Sequence, residues 1–451
     1  MTPRFIQDDL QALKQAALYR RLRLIEGEQG PVVTADGRPV LNFSSNNYLG
    51  IANHPALRAA AKEAIDRYGC GSGASRLISG NMTLHEELEK KIAELKGTEA
   101  ALVFNSGFQA NTGILSTLIG EGDVILSDAL NHASIIDGCR LSRAKVVVYG
   151  HCDLDQLDRG LKDASQNNRK LIVTESLFSM DGDEAPLVDI ASLAEKYGAM
   201  VMVDEAHATG VFEPNGAGLV ARLGLGDRVL VQMGTLGKAL GAFGAYVAGS
   251  GALRALLINR CRSFIFTTSL PPAVMAMGMA AIDLVKKEPE RRQALRNNCE
   301  HLRTGLKTLG FTLGNSQSQI LPLVVGDATK CMKLSEWLLE HGVFAQGIRP
   351  PTVPVGTSRL RITLMATHTR EQIEQALRIF DEVAQETRAE DRGSRIDDRK
   401  CKLRDSKSNS DRRSSILHPR LCSHGHRLRN SQTVRPYLPL ASVHANARMD
   451  G

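Results

Sequence analysis

Short aliphatic runs recur along the first half of the chain, and segments with helical periodicity separate them. Each run is apolar without a break rather than alternating, a pattern typical of strands that are covered on both faces. Strand–helix alternation of this kind predicts an α/β domain with a doubly wound, mostly parallel sheet, which binds ligands at the carboxyl ends of its strands. The predicted strands are 100–104, 123–126, 145–149, 171–174, 200–203 and 229–232.

Helical periodicity and shorter apolar runs organise the rest of the chain. The predicted helices are 5–25, 54–68, 83–95 and 271–287. Thr83, with Glu86 three residues later, resembles a capping box. Strands at 320–325 and 358–364 predict a smaller α+β domain. The predicted division is an N-terminal helix and entry segment over 1–45, a large domain over 46–285, a small C-terminal domain over 286–388 and a tail over 389–451.

The C-terminal segment differs in composition from the rest of the chain. Residues 388–451 hold 15 of the 56 Lys and Arg residues but only 7 of the 49 Asp and Glu residues, so the net charge of +7 belongs to the tail. Hydrophobic residues are scarce there and no periodicity persists. We therefore predict disorder over 389–451, with a composition that a frameshift near the natural terminus would give. The overall charge is no sign of a nucleic-acid-binding enzyme body.

The cysteines and the apolar stretches exclude several classes of protein. The eight cysteines are scattered without a CxxC pair, which argues against a zinc site or a disulfide framework and is typical of a reducing compartment. No apolar stretch reaches the ~18 residues needed to span a bilayer, and residues 1–29 lack the apolar block of a secretory signal. We therefore expect a cytoplasmic protein with no metal site and no membrane contact.

Two segments that follow predicted strands carry the chemistry. One apolar run ends at Asp204, with His207 three residues later, and another leads to a glycine-rich turn that holds Lys238. A P-loop needs Ser or Thr after its lysine, whereas Ala239 follows Lys238, so nucleotide binding is not favoured. A lysine and an aspartate so placed are typical of a pyridoxal phosphate (PLP) site. There the lysine holds the aldehyde as a Schiff base and the aspartate keeps the pyridine nitrogen protonated.

Other residues at strand ends suit the remaining parts of this cofactor. The turn at 106–108 precedes a helical segment and offers backbone N–H groups to the phosphate, and Thr235 offers a hydroxyl. His132 is placed to stack on the ring, and Arg361 offers a guanidinium fork to an amino-acid carboxylate. Glu175 also follows a strand directly, without an assigned role. Taken singly, a surface lysine, a helix-capping aspartate and an ordinary strand-to-helix turn remain open explanations.

The ordered set of these segments resembles the α-oxoamine synthases, which are fold-type I PLP-dependent transferases. The resemblance implies a large doubly wound domain and a smaller C-terminal α+β domain. It covers roughly residues 1–385 and leaves the tail without a counterpart. The matching motifs are 42–50, 105–108, 131–134, 178–183, 203–207, 235–238 and 266–269.

The resemblance implies a role for each residue of the site. Lys238 would be the Schiff-base lysine and the base for the α-proton, Asp204 would pair with the pyridine nitrogen, and His132 would stack on the ring. His207 and Ser179 would lie near the phenolic oxygen. The other cofactor contacts would come from Gly107, Phe108, Thr235 and, across the interface of a homodimer, Thr267 or Thr268. The substrate contacts would come from Arg20, Asn46, His132, Thr352 and Arg361.

One stretch also implies a substrate. Residues 347–354 are similar to those of family members that condense L-alanine with pimeloyl-CoA or a pimeloyl carrier protein in biotin biosynthesis. The first alternative is a sister activity that uses glycine with a short acyl-CoA. The second, from another class, is a basic-tailed binding protein with an inactive enzyme body, against which the intact Lys238, Asp204 and His132 argue. We expect a homodimeric acyltransferase without a nucleic-acid partner.

Overall fold

The computed structural model describes residues 3–16, 18–212 and 215–386. The tail predicted over 389–451 lies outside the described residues. Contacts divide the chain into Met1–Ile379 and Phe380–Gly451, and the predicted domain boundaries at residues 45 and 285 stay predictions. None of the described helices is long and apolar enough to cross a membrane.

The regular elements follow each other in an order that alternates strands and helices over the middle of the chain. The strands are β1 (Ile25–Glu26), β2 (Val32–Ala35), β3 (Arg38–Asn42), β4 (Ala100–Phe104), β5 (Val124–Asp128), β6 (Lys145–Tyr149), β7 (Lys170–Glu175), β8 (Met200–Asp204), β9 (Val231–Thr235), β10 (Ala245–Gly249), β11 (Ile320–Gly326), β12 (Val343–Phe344), β13 (Gln346–Ile348) and β14 (Ser358–Thr363). The helices are α1 (Arg4–Gln15), α2 (Pro55–Tyr68), α3 (Thr83–Lys96), α4 (Gly107–Leu118), α5 (Ala133–Ser142), α6 (Leu154–Asp163), α7 (Leu187–Tyr197), α8 (Leu219–Arg222), α9 (Gly251–Arg260), α10 (Arg262–Ile265), α11 (Pro272–Lys287), α12 (Glu290–Thr308) and α13 (Ala328–Glu340). Residues 370–386 are also helical.

The central sheet has seven strands in the order β4-β10-β9-β8-β7-β5-β6. Pairing is parallel from β9 through to β6, whereas β10 runs antiparallel to both β9 and β4. The predicted doubly wound, mostly parallel α/β architecture is confirmed. The sequence prediction missed β10, and it placed the β9 strand two residues too early, since Val229 and Leu230 lie before the paired segment.

The hairpin between β9 and β10 depends on glycine. Gly241 and Gly244 have φ values of +59° and +101°, in a region that residues with a side chain rarely adopt. A Cβ at Gly241 would also lie 2.6 Å from the backbone nitrogen of Ala52. This turn is the segment that carries Lys238, and the carbonyl of Lys238 accepts a hydrogen bond from the N–H of Gly241 (2.9 Å).

The core lies between the central sheet and the helices that cover it. Ile114 and Leu115 of α4 pack in one cluster with Leu102 of β4, Val173 of β7 and Met202 of β8, and all five are buried. Each such side chain stabilises the fold by about 1.5–3 kcal/mol relative to its exposed state. The helix is thereby fixed on the sheet, and with it the turn at its N-terminus.

The predicted end of the N-terminal helix and the predicted cap of α3 were wrong, although α3 begins at Thr83 as predicted. The N-terminal helix was predicted over 5–25 but ends at Gln15, and none of its residues is buried. Further along, Asp36 accepts hydrogen bonds from the N–H of Leu24 (2.9 Å) and from Arg23 (3.1 Å), next to the start of β1 at Ile25. At α3 the predicted Thr83–Glu86 capping box is absent: the Nδ1 atom of His85 accepts from the N–H of Met82 (3.2 Å) instead.

Two smaller sheets form outside the central sheet, one from C-terminal strands and one mainly from N-terminal strands. β11, β14 and β13 form an antiparallel three-stranded sheet, and β1, β2, β3 and β12 form a second sheet in which β12 is parallel to β3. The predicted strands at 320–325 and 358–364 correspond to β11 and β14. Both sheets deliver residues to the site, because β14 carries Arg361 and β3 leads into the loop that holds Asn46.

Candidate active site

The carboxyl ends of β4, β5, β7, β8 and β9 lie at one edge of the central sheet, where the crevices of such folds bind ligands. The residues at and after these ends line a cavity of about 180 Å³. Most of the predicted catalytic and cofactor-binding residues line it, namely Gly107, Phe108, His132, Asp204, His207, Thr235 and Lys238. The sequence prediction of one shared site at the strand ends agrees with this arrangement.

A chain of hydrogen bonds joins the buried carboxylate to the imidazole at the rim. Asp204 accepts from the side-chain amide of Asn111 (2.8 Å) and from the N–H of Ala206 (2.8 Å). The same amide donates to the hydroxyl of Ser134 (2.9 Å), which pairs with Nδ1 of His132 (2.7 Å). Asn111 and Ser134 were not predicted. A signal was available for both, because Asn111 interrupts an apolar helix and Ser134 ends the 131–134 motif.

The amine of Lys238 faces this carboxylate from the turn after β9. Burial lowers the pKa of Lys238, and the negative charges of Asp204 and Glu175 oppose that shift. A lowered pKa increases the fraction of neutral amine, which is the form that attacks a carbonyl carbon and accepts a proton. The geometry therefore gives Lys238 both nucleophilic and basic character.

His207 lines the same cavity as a neutral imidazole ring. Burial, followed by the charges of Lys238 and Arg361, lowers the pKa of His207 well below its ordinary value. Its Nδ1 atom shares a hydrogen bond of 2.7 Å with the hydroxyl of Tyr48. Arg361 donates to that hydroxyl (3.3 Å) and to Oδ1 of Asn46 (3.1 Å). The predicted substrate residues Asn46 and Arg361 are thus joined to His207 through the hydroxyl of Tyr48.

Glu175 is a further ionisable group in the cavity wall. Burial, followed by the charge of Asp204, raises its pKa to about 8. One of its oxygens accepts from the N–H of Ser179 (3.3 Å), and the other is buried without a hydrogen-bond partner among the described residues. The carbonyl of Ser179 accepts from Arg361 (2.6 Å), so Ser179 lies in the layer between Glu175 and Arg361.

His151 forms hydrogen bonds to the end of β5, shortly before His132, and to the loop that follows Ser179. Its Nδ1 bonds Asp128 at 3.0 Å, at the end of β5, and its Nε2 bonds Asp183 at 2.8 Å, in the loop after Ser179. Despite burial, these two hydrogen bonds raise the pKa of His151 to about 12, so the ring is cationic at neutral pH. Asp128, His151 and Cys152 lie close enough together to be considered as ligands of a metal ion. Both ring nitrogens of His151 already have hydrogen-bond partners, so neither is available to a metal ion in this arrangement.

The residues of the cavity fit PLP. The first N–H groups of a helix lack intrahelical acceptors, so the start of α4 at Gly107 and Phe108 presents donors to a phosphate. A Cβ at Gly107 would lie 3.0 Å from Cγ2 of Thr235, so a side chain there would crowd this cradle. A buried carboxylate, a lysine amine and an imidazole complete the set of groups that hold a protonated pyridine and an aldehyde.

Known proteins agree with this assignment. Residues 38–380 match the family described as aminotransferase class I and II. The 8-amino-7-oxononanoate synthase of Geotalea daltonii is 54% identical over 373 residues, which are 82% of this chain and 95% of that protein. The chain belongs to the α-oxoamine synthases of this family.

Solved structures of other α-oxoamine synthases superpose on this one. A serine palmitoyltransferase structure with PLP has a TM-score of 0.80 and 35% identity, covering 84% of this chain and 96% of that one. An 8-amino-7-oxononanoate synthase from Francisella tularensis has a TM-score of 0.68 and 29% identity, covering 77% of this chain and 98% of that one. The predicted fold-type I architecture is confirmed by these neighbours.

Seven predicted residues of this α-oxoamine synthase do not line the cavity of Lys238. Asn46, Ser179 and Arg361 are joined to its lining residues by the hydrogen bonds given above, and the other four are Arg20, Thr267, Thr268 and Thr352. Thr267 lines a separate, smaller cavity, and the carbonyl of Thr268 accepts from the side chain of Asn105 (2.8 Å), just before α4. Arg20 and Thr352 line another cavity, of about 570 Å³. The structure thus brings the predicted catalytic set together and places two predicted substrate residues in a second pocket.

Proposed function

We propose that this chain catalyses the PLP-dependent decarboxylative condensation of L-alanine with a pimeloyl thioester, on CoA or a carrier protein, in biotin biosynthesis. The products are 8-amino-7-oxononanoate, CO2 and the free thiol. One observation carries the proposal: the amine of Lys238 shares a single cavity with Asp204, His132 and His207. The relative that is 54% identical over 95% of its length is an 8-amino-7-oxononanoate synthase, which supports this choice of substrates.

PLP would be held by residues that the cavity already orients. The phosphate would lie at the start of α4, against Gly107, Phe108 and Thr235, and Asp204 would bond the pyridine nitrogen. His132 would cover the ring face, with His207 and Ser179 toward the phenolic oxygen. When bound, PLP supplies an electron sink for negative charge at the α-carbon of the amino acid.

Lys238 moves the proton in this proposal. Its amine, neutral in part because burial lowers its pKa, accepts the α-proton of L-alanine at Nζ and later returns a proton to the product. A positioned general base of this kind contributes about 10²–10⁴-fold to the rate. Asp204 lies beside it, held by hydrogen bonds from Asn111 and from the N–H of Ala206.

Arg361 holds the carboxylate of the amino acid. Its guanidinium is buried and bonds only neutral oxygens among the described residues, those of Ser179, Asn46 and Tyr48. Because no carboxylate among the described residues neutralises this charge, the side chain favours an anionic substrate group. The Asn46 side chain, which accepts from Arg361, orients the fork.

We also propose a cytoplasmic homodimer in which Thr267 or Thr268 reaches the phosphate of the neighbouring subunit, without a nucleic-acid or membrane partner. The resemblance to the α-oxoamine synthases supports this, whereas the hydrogen bond from Asn105 to the carbonyl of Thr268 places the segment beside the start of α4 in its own subunit. Sedimentation at micromolar concentration tests the dimer, and the affinity of Thr268→Ala for PLP, relative to the wild type, tests the phosphate contact.

The substrate assignment is tested by a matrix of assays. L-Alanine, glycine and L-serine are each offered with pimeloyl-, acetyl-, succinyl- and palmitoyl-CoA, and release of free thiol is followed. We expect turnover with L-alanine and pimeloyl-CoA, or with a pimeloyl carrier protein. Fast thiol release with glycine and acetyl-CoA alone would assign the sister activity instead.

A further inference from the structure

A third cavity, which we call the α12 cavity, lies against helix α12 and shares no lining residue with the cavity of Lys238. Its volume is about 620 Å³, within the range of small-molecule sites. Most of its lining side chains are polar or charged, so it suits a polar ligand. The lining comes from the segment after β8, from the middle of α12 and from residues 317–319 before β11, together with Glu184 and Arg222.

Arg303 gives the α12 cavity a buried cationic donor. It is 5% exposed, and it donates to Oε2 of Glu300 (2.6 Å) and to the carbonyl of Ser318 (2.8 Å). Its Nε is buried without an acceptor among the described residues. A buried N–H of a charged group is costly to leave unpaired, and a carboxylate is the acceptor that bonds it most strongly.

Gln319 gives the same cavity a buried acceptor. It is 2% exposed, and its amide nitrogen donates to the carbonyl of His207 (2.8 Å). Its Oε1 is buried without a donor among the described residues. An amide oxygen can accept two hydrogen bonds, so this atom suits an N–H group of a ligand.

The amide of Gln319 also connects the α12 cavity to the catalytic site. His207 lines the cavity of Lys238, and its Nδ1 shares a hydrogen bond of 2.7 Å with the hydroxyl of Tyr48. Burial raises the pKa of Tyr48, and the neighbouring Arg361 and Gln319 oppose this rise. A ligand that bonds Oε1 of Gln319 therefore acts on the amide that holds His207.

We propose that the α12 cavity binds a small molecule with a carboxylate and an N–H donor, and that its occupancy weakens amino-acid binding at the catalytic site through Gln319. The carboxylate meets Nε of Arg303, and the N–H group meets Oε1 of Gln319. Two sources carry both groups: the reaction product, 8-amino-7-oxononanoate, through its ammonium, and biotin, through its cyclic urea. The inference rests on the proposed function for these two sources.

Titration calorimetry of the holoenzyme tests the binding. The probes are 8-amino-7-oxononanoate, biotin and pimelate, which has carboxylates but no N–H group. We expect one or both of the first two to bind, and Arg303→Gln to weaken that binding by about 10–100-fold, as for a lost charged hydrogen bond. Binding of only one identifies the source. Pimelate binding as tightly as the others, or no binding that depends on Arg303, overturns the proposal.

The coupling is tested by the affinity of the holoenzyme for L-alanine, measured from the change in visible absorbance. A saturating concentration of the bound probe should weaken this affinity by about 5–100-fold, the range of coupling between two sites. The product also competes directly at Lys238, so only the part of the effect that Arg303→Gln removes is assigned to the α12 cavity. Binding with an unchanged affinity for L-alanine overturns the coupling.

Matched variants of α12 separate binding from folding. Lys307→Gln removes an exposed charge one turn after Arg303 and should leave the affinity for each probe unchanged. Asn297→Trp fills the α12 cavity from an exposed position and should prevent binding even if Arg303→Gln folds poorly. Its control is Thr308→Trp, at the exposed end of the same helix, which should bind like the wild type.

The two proposals fail in different ways. Arg303-dependent binding in a protein that does not condense L-alanine with a pimeloyl thioester would refute the proposed substrates and leave the α12 cavity as a ligand site. Turnover with those substrates, but no probe binding that depends on Arg303, would refute the α12 cavity alone.

Discussion

Two pockets of this enzyme differ in how their charges are satisfied. Around Lys238, a cavity of about 180 Å³ surrounds Asp204 with donors that come from helices and turns fixed on the sheet. In a second cavity of about 570 Å³, lined by Arg20, Arg349 and Thr352 and called the arginine pocket here, neither arginine has a carboxylate partner in the described part of the chain. In the first pocket the polar groups are already held by hydrogen bonds within the protein. In the second pocket the two arginines carry positive charge that no described carboxylate neutralises.

This difference follows from where the two sets of residues lie in the chain. The cavity around Lys238, called the chemical pocket here, is lined by residues next to the carboxyl ends of parallel strands. The fold brings these ends to one edge of the sheet, independently of the loop conformations. The arginine pocket joins residues near position 20 to residues near position 349, and only the tertiary fold makes them neighbours. Preorganised polar groups increase the rate of the chemical step, whereas an unneutralised charge discriminates between substrates that carry the opposite charge and those that do not.

The largest effect is expected from Lys238→Ala. Removing the amine abolishes both the covalent attachment of PLP and the base for the α-proton, so kcat should fall by more than about 10⁴-fold. Lys162→Ala, in the exposed last turn of α6, is the matched control and should turn over normally. Residual activity of a few per cent in a well-folded Lys238→Ala protein would move the chemistry elsewhere.

A smaller effect is expected from Asp204→Asn. The substitution keeps the shape of the side chain but replaces the carboxylate that is proposed to bond the pyridine nitrogen, so kcat should fall by about 10²–10³-fold, the range for a lost preorganised electrostatic contact. Its control is Asp155→Asn, on the exposed first turn of α6. Equal rates for the two variants would show that the order of the chemical pocket is not needed for catalysis.

Glu175→Gln should change the pH dependence of stability. The pKa of Glu175 is raised to about 8 from an ordinary value of 4.5, so the folded chain holds this proton more tightly than the unfolded chain does. Relative to the variant, the wild type should be most stable below pH 4.5 and lose stability as the pH rises to about 8, by at most about 1.4 kcal/mol per unit. Urea unfolding of the cofactor-free protein measures this.

The control for that series is Glu94→Gln, an exposed residue of α3. Its unfolding free energy should follow the wild type at every pH. Parallel pH curves for wild type and Glu175→Gln would contradict the assigned protonation of Glu175.

The smallest effect is expected from truncation after residue 388. The relative from Geotalea daltonii is matched over 95% of its length by 82% of this chain, and both pockets are built from residues before 388. Turnover and the KM for pimeloyl-CoA should therefore stay within about twofold. An aggregated or inactive product would place part of the active enzyme in the tail.

The chemical pocket could be predicted from sequence because its residues sit next to recognisable strands. Asp204 and Lys238 follow apolar runs directly, and the strand order did not have to be known to place them at one edge. The strand β10 was missed because glycines border its short run. The chain from Asp204 through Asn111 and Ser134 to His132 could not be seen either, since it crosses α4 and α5 and depends on their packing.

The arginine pocket shows the limit of prediction by resemblance. Arg20 and Thr352 were predicted as substrate residues, but the pattern did not reveal that they line a pocket apart from Lys238. Arg349 lies within the stretch 347–354 that implied a substrate, but no role of its own could be assigned to it, because an arginine beside two prolines is ordinary. Its unpartnered Nε is visible only once the carbonyl of Tyr19 and the thioether of Met332 are in place.

The most direct test of the account is the mass spectrum of the holoenzyme after reduction with borohydride and digestion. We expect one phosphopyridoxyl adduct, on the peptide that contains Lys238, and its absence from Lys238→Ala. An adduct on another lysine, or no adduct in a protein that still condenses L-alanine with a pimeloyl thioester, would contradict the assignment of this cavity as the catalytic site.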